Sequence, residues 1–186
     1  MLQLRSRDYR RLPWRNGRGS TAEIAVAPAG AGIDDFLWRV STAVVAAPGA
    51  FSAFPGVDRI LTVISGDGLT LEIDGHAPAA PGQEPFAFPG DLPCNARLRD
   101  GPVTDLNVMT RRGQCRAVVR WAGPAEALPG ASDRLVFAGR GPLDGRVGGR
   151  GYRLDAGDTL RLSGPDVARL ELAGIWLDIQ IIPGGL

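Results

Sequence analysis

Histidine is almost missing from this chain: His76 is the only one in 186 residues. A single imidazole cannot supply the two or three nitrogens of a facial iron, manganese or zinc site. It sits in the turn Asp74-Gly75-His76, where an exposed loop side chain is expected. No Gly-x-Ser-x-Gly motif accompanies it, so no serine triad is indicated. Lysine is wholly absent, and all 21 basic residues are arginine, which excludes Schiff-base and lysine-base chemistry. Cys94 and Cys115 are the only cysteines and form no Cys-x-x-Cys, too little for a disulfide framework or a thiolate zinc site. No acidic cluster suggests a hard cation. No apolar run approaches the ~20 residues of a membrane span. Residues 1–12 hold no apolar signal-peptide core. With a net charge of +1, no strong pull toward nucleic acid or anionic lipid is expected. These absences predict a cytoplasmic protein with no metal, no cofactor, and neither nucleic acid nor membrane as partner.

What is present is punctuation. The 26 glycines and 15 prolines separate short apolar or alternating runs. Glu23–Ala27, Phe36–Val45, Ile60–Ile64, Leu69–Ile73, Asp105–Thr110, Ala117–Trp121, Thr159–Leu162 and Ile175–Ile182 read as strands. Asp74-Gly75 suits a hairpin turn. A short helix is expected only at 125–128. Gly66-x-Gly68 precedes no helical pattern, so a dinucleotide fold is not expected.

The order of motifs repeats. Ser65-Gly66-Asp67-Gly68 is echoed by Ala138-Gly139-Arg140-Gly141 at an offset of 73 (138 − 65). Phe88-Pro89-Gly90-Asp91 is echoed by Asp155-Ala156-Gly157-Asp158 at 67 (155 − 88). Leu106-Asn107-Val108-Met109 is echoed by Leu177-Asp178-Ile179-Gln180 at 71 (177 − 106). The shared order predicts two similar all-β, cupin-like jelly-roll halves, residues 1–115 and 116–186, with a linking stretch around 116–135.

Polar residues interrupt the apolar strands of the first half. The two-residue period sets Arg39 and Ser41 on one face of their strand, and Asp105, Asn107, Met109 and Arg111 on one face of another. A buried arginine must pair or reach a ligand. Two readings stay open: structural ion pairs of Arg39 or Arg59 with Asp58 or Asp105, or a bidentate grip on a carboxylate ligand. The glycine-rich stretch around Trp14 and Asn16 suits either a sheet-edge arm or a lid.

Five ordered stretches resemble the HutD/Ves family of bacterial proteins. They are Pro13-Trp14-Arg15-Asn16-Gly17-Arg18-Gly19-Ser20-Thr21-Ala22-Glu23-Ile24, Phe36-Leu37-Trp38-Arg39-Val40-Ser41, Phe51-Ser52-Ala53-Phe54-Pro55-Gly56-Val57-Asp58-Arg59, Pro85-Phe86-Ala87-Phe88-Pro89-Gly90-Asp91, and residues 105–113. Arg15 and Arg18 stand where the usual family loop has lysine and glycine. The resemblance implies a bicupin linked to histidine utilisation, with a regulatory role and no firmly attached enzymatic activity. The site residues expected to bind a small carboxylate are Trp14, Asn16, Arg39, Ser41, Phe54, Asp58, Arg59, Thr62, Phe88, Asn107 and Arg111. A metal-independent isomerase or hydrolase using Glu23, Asp58 or Asp105 is the alternative, and homodimerisation through the second half is a third expectation.

Overall fold

The computed structural model describes residues 1–14, 19–123 and 127–184. They form an all-β protein of seventeen strands. β1 is Leu2–Leu4, β2 Arg10–Pro13, β3 Ser20–Ala27, β4 Trp38–Val45, β5 Gly49–Phe51 and β6 Val57–Ser65. β7 is Leu69–Ile73, β8 Phe86–Pro89, β9 Cys94–Leu98, β10 Val103–Arg111, β11 Cys115–Ala122 and β12 Asp133–Phe137. β13 is Leu143–Val147, β14 Arg150–Leu154, β15 Thr159–Ser163, β16 Leu170–Leu172 and β17 Trp176–Pro183. Two short 3-10 turns, Ser6–Asp8 and Gly164–Ala168, are the only helical elements among the described residues. None is long and apolar enough to cross a membrane.

The chain divides into two compact units. The first in sequence is Arg10–Gly113. It pairs a six-stranded antiparallel sheet, in the order β2-β3-β4-β10-β6-β8, with a three-stranded sheet, β5-β9-β7. The core draws on both sheets: Leu61, Val63 and Val103 from the larger, Leu69, Leu71, Cys94 and Ala96 from the smaller. Alternation explains the strands. In β6 the odd-numbered Val57, Arg59, Leu61 and Val63 are buried, and in β7 so are Leu69, Leu71 and Ile73. Each fully buried leucine contributes about 2 kcal/mol of transfer free energy. The Asp74-Gly75 turn is present, with Gly75 at φ 73°, and returns the chain so that Ala79 bridges Leu71.

The second unit joins Gln114–Leu186 to Met1–Tyr9. Its sheets are β1-β15-β12-β17-β11 and β14-β13-β16, with Val136, Leu154, Leu160, Leu162 and Trp176 in the core. The N-terminal residues, which sequence order groups with the first half, belong here because β1 pairs with β15 through Leu2↔Arg161 and Leu4↔Thr159. Arg5 Nη1 also donates to Asp158 Oδ2 at 2.7 Å, and the Tyr9 hydroxyl donates to the Gly157 carbonyl at 2.8 Å. The expected linker at 116–135 is strand at both its ends, in β11 and at the start of β12, where β-branched Val118 and Val119 and the apolar Leu135 favour extended chain. Of the helix expected at 125–128, residues 125 and 126 lie outside the described residues, and Ala127 and Leu128 are not helical.

Candidate functional site

The polar residues of the first unit meet on one face of its larger sheet. The register places them in rows. One row runs Arg39, Met109, Arg59, Phe88 across β4, β10, β6 and β8. The next runs Glu23, Ser41, Asn107, Leu61, Phe86 from β3. Below it lie Thr21, Ala43, Asp105 and Val63. This face also carries Leu61, Val63 and Phe88 into the core, so it is the inner face of the unit.

Charge is buried there. Arg39 and Arg59 are each 5% exposed and Asp105 is 2% exposed. Arg39 Nε donates to Glu23 Oε2 at 2.8 Å. Its two terminal nitrogens have no hydrogen-bond partner among the described residues, nor does the Ser41 hydroxyl. Arg59 Nε and Nη2 both donate to Asn107 Oδ1, at 3.2 and 2.8 Å, and Nη1 donates to the Ser52 carbonyl at 3.4 Å. Asn107 Nδ2 in turn donates to Asp105 Oδ1 at 3.4 Å. A guanidinium has five N–H donors. Described residues engage three of Arg59's, with Asn107 on the Nε–Nη2 side, which leaves one donor on Nη1 and one on Nη2 without a partner among the described residues.

Three aromatic rings surround the same guanidinium, Phe88 at 5.0 Å, Phe51 at 5.2 Å and Phe54 at 5.6 Å from ring centre to Cζ. Desolvated contacts of this kind contribute up to about 2 kcal/mol each. Burial still lowers the Arg59 pKa, to about 10, with Asp105 partly compensating. Burial pushes Asp105 up, to about 6, against the attraction of Arg59 and the Asn107 hydrogen bond. At neutral pH the arginine is charged and the carboxyl is mostly ionised.

Two glycines make room. A Cβ on Gly90 would lie 2.8 Å from the Val57 carbonyl and 3.1 Å from Arg59 Cγ and Cδ, so the arginine stem rests on that backbone. A Cβ on Gly19 would lie 2.9 Å from the Trp14 ring. The ring therefore lies flat on the chain, where its Nε1 donates to Thr21 Oγ1 at 2.9 Å and its body packs against the core.

The model of the HutD family matches residues 6–175. The chain belongs to the HutD family. A 21.2 kDa protein of Pseudomonas putida, encoded in the region 3′ of hutC, is 38% identical over 184 residues, covering 96% of each chain. Protein Ves of Citrobacter koseri is 36% identical over 182 residues, covering 91% of this chain and 93% of its own. The structure of HutD from Pseudomonas fluorescens SBW25 superposes with a TM-score of 0.84 at 33% identity, over 99% of both chains. A cupin 2 conserved barrel protein of Leptotrichia buccalis superposes at 0.54 with 13% identity, over 92% of both, a likeness of fold alone. The fold is cupin-like.

Of the residues expected at the site of this HutD-family protein, Arg39, Ser41, Arg59, Phe54, Phe88 and Asn107 gather as described, and Trp14 packs against the same core. Asn16 lies outside the described residues. Three expectations change. Thr62 is buried, but it stands opposite Leu106, on the face of the sheet away from Arg59. An odd-to-even step along a strand reverses the side chain. Asp58 points away for the same reason and pairs with Arg112 at 2.7 Å, which also holds Asp91 at 2.8 Å. Arg111 has the right parity but a different job. Its guanidinium donates to the carbonyls of Pro55, Asp34 and Phe36 at 3.1, 2.7 and 3.4 Å, tying together the loops before β4 and β6. The ion pairs expected with Asp58 do not form, and Arg39 chooses Glu23 instead. Glu23, Phe51 and the Ser52 carbonyl were not among the expected ligand-binding residues. Glu23 stood only among the acid–base candidates, and the other two sit at a strand end where parity gives no signal.

Among the described residues no group of three histidine, cysteine or acidic side chains is placed to hold a metal. His76 is exposed, with its Nδ1 2.9 Å from the Asp74 carbonyl. Both cysteines are free.

The second unit buries a polar set on its own larger sheet. Arg134 Nε donates to Asp178 Oδ1 at 2.6 Å, Gln180 Nε2 donates to Asp178 Oδ2 at 2.7 Å, and Arg120 stands 3.7 Å from the same carboxylate. The Gln180 Oε1 accepts the Leu128 amide at 2.6 Å. The acceptors of Asp178 are thus already engaged, unlike the free ends of Arg39 and Arg59.

Proposed function

We propose that this protein binds a small carboxylate, without a metal, on the inner face of the Arg10–Gly113 unit. The observation that carries the reading is Arg59: a buried guanidinium with two donors that no described residue takes up, fixed on one side by Asn107 and walled by three phenylalanines. A fork of this kind suits a planar carboxylate held by two parallel hydrogen bonds. Across β10, Arg39 and Ser41 add donors that are unpartnered among the described residues, and the rings supply apolar walls for the ligand body. The P. putida relative's place beside hutC supports a histidine-pathway intermediate, such as urocanate or formylglutamate, and a regulatory or protective role in the cytoplasm. In this reading the two units are the two cupin-like halves of a bicupin, and the second half is mainly structural, because its buried arginine is already paired. Homodimerisation belongs to the same reading, and light scattering checks it.

Calorimetric titration of the purified protein with urocanate and with formylglutamate is the test. Saturable heat that Arg39→Ala and Arg59→Met weaken at least tenfold supports the reading. No heat at high ligand concentration, or equal binding by both variants, overturns it.

A metal-independent isomerase or hydrolase is the second reading. The observation in its favour is Asp105, whose carboxyl titrates at about 6, close to what a general base needs. Asp58 is held by Arg112 and is not available for that role. Turnover of either compound that survives chelation and vanishes in Asp105→Asn would favour the enzyme.

A further inference from the structure

Asp105 lies beneath Asn107 and has no cation within ion-pair distance among the described residues. Its carboxylate accepts Asn107 Nδ2 at 3.4 Å, and the Ala43 backbone across the strand pair favours its ionised form. The charged and titratable groups around it come from four other strands. Glu23 of β3 is bound to Arg39 of β4. Arg59 of β6 is the neighbour that stabilises the ionised form of Asp105. Cys94 of β9 is a thiol that burial pushes up and Arg59 pulls down. Strands β5 and β8 present phenylalanines to Arg59. Arg59 therefore compensates the buried carboxylate through a single relay, with Asn107 turning its oxygen to the arginine and its amide to the aspartate.

An anion seated on the free end of Arg59 competes for that compensation. With a second negative charge in the same low-dielectric space, the ionised form of Asp105 loses its support. Two carboxylates sharing one buried guanidinium are stable together only if one of them is protonated. Asp105 cannot reach solvent to be screened, whereas the ligand keeps its contact with Arg59.

We propose that a carboxylate binding at Arg59 is taken up together with one proton, which Asp105 accepts. The balance is simple: ligand anion and proton enter, the Asp105 carboxylate becomes a carboxylic acid, Arg59 stays protonated, and the net charge of the site is unchanged. Asp105 is a positioning and charge-setting residue that acts through Asn107 and Arg59. The proposal rests on carboxylate binding at this site. It adds that the site binds a carboxylate more tightly in acid conditions, where the proton that Asp105 takes up is supplied more readily.

The test is calorimetry of the full-length protein with formylglutamate and with formate, whose carboxyls stay ionised above about pH 5.5. Each is titrated in two buffers of different ionisation enthalpy. The expected result at about pH 7.5 is uptake of close to one proton per ligand. Affinity falls as pH rises above about 6, by at most about tenfold per pH unit. Asp105→Asn removes the uptake, flattens the pH dependence and binds several-fold more tightly than wild type at about pH 7.5. Saturable binding with no buffer-dependent heat overturns the coupling and leaves the binding reading standing. No binding of either compound at any pH overturns both. If Asp105→Asn fails to fold, the buffer dependence of the wild type decides alone.

Discussion

Asn107 Oδ1 accepts from both Nε and Nη2 of Arg59, at 3.2 and 2.8 Å, and no carboxylate lies within ion-pair distance of that arginine among the described residues. A neutral amide thus fixes a buried cation without neutralising it, and the positive charge stays available to a ligand. Asn107→Leu keeps the volume and removes the acceptor. The Arg59 Nε is then buried without a partner, which costs about 2 kcal/mol. Urea unfolding is expected to show a lower midpoint at unchanged slope, and carboxylate affinity is expected to fall at least tenfold because the fork is no longer oriented. A variant as stable as wild type would show that the amide is idle.

Gly90 supports the same arginine from the side. Alanine there places a methyl group 2.8 Å from the Val57 carbonyl, an atom that already accepts the Gly90 amide at 2.7 Å. The backbone pairing cannot yield without opening the β6–β8 edge, so the Arg59 stem has to shift. Gly90→Ala is expected to destabilise by about 1–3 kcal/mol and to weaken carboxylate binding about tenfold, read by thermal unfolding and calorimetry. Weakened stability with intact affinity would mean that Arg59 keeps its place.

Much of this site was legible from alternation alone. Arg39, Ser41, Arg59 and Asn107 interrupt apolar strands, and the two-residue period correctly put Arg39 with Ser41. The same rule, applied across a single strand, separates Thr62 and Asp58 from Arg59, since they are three residues and one residue away. Arg39's partner was not legible. β3 and β4 shift register between Glu23 and Ala25, so Glu23 stands opposite Ser41 while Val26 stands opposite Arg39. A bulge breaks the parity on which such pairing rests. Arg111 followed the parity but lies at the strand end, where loop carbonyls brought in by tertiary folding take its donors. Nothing local marks β1 as a partner of β15, because the contact joins residues more than a hundred positions apart.

Asp105 gives folding stability a definite pH dependence. Its folded pKa is raised to about 6 from 3.8. The group therefore favours the native state when protonated, and this contribution is fully present below the unfolded pKa. It is lost as pH rises through 4 to 6, because the native state must ionise a buried acid that the unfolded chain ionises freely. Asp105→Asn is expected to be close to neutral at about pH 4. At about pH 8 it should be more stable than wild type by at most about 3 kcal/mol, reduced by whatever support Arg59 loses with the negative charge. Urea unfolding at the two pH values measures it. Destabilisation that is larger at high pH than at low pH would contradict the raised pKa.

The second unit's buried charge behaves in the opposite way, because it is fully paired. Asp178 is 0% exposed and Arg134 1% exposed, joined at 2.6 Å, with Gln180 closing the other carboxylate oxygen. Removing one member leaves a buried ion without compensation, which costs about 3–5 kcal/mol. Asp178→Ala is therefore expected to lower the thermal midpoint sharply. Replacing both members with apolar residues of similar volume, Asp178→Leu with Arg134→Met, should recover much of the loss, since neither desolvated charge remains. Carboxylate binding in the Arg10–Gly113 unit is expected to be unchanged in the double variant, measured by calorimetry below its unfolding temperature. Lost binding in a folded double variant would mean that the second unit does more than support the fold.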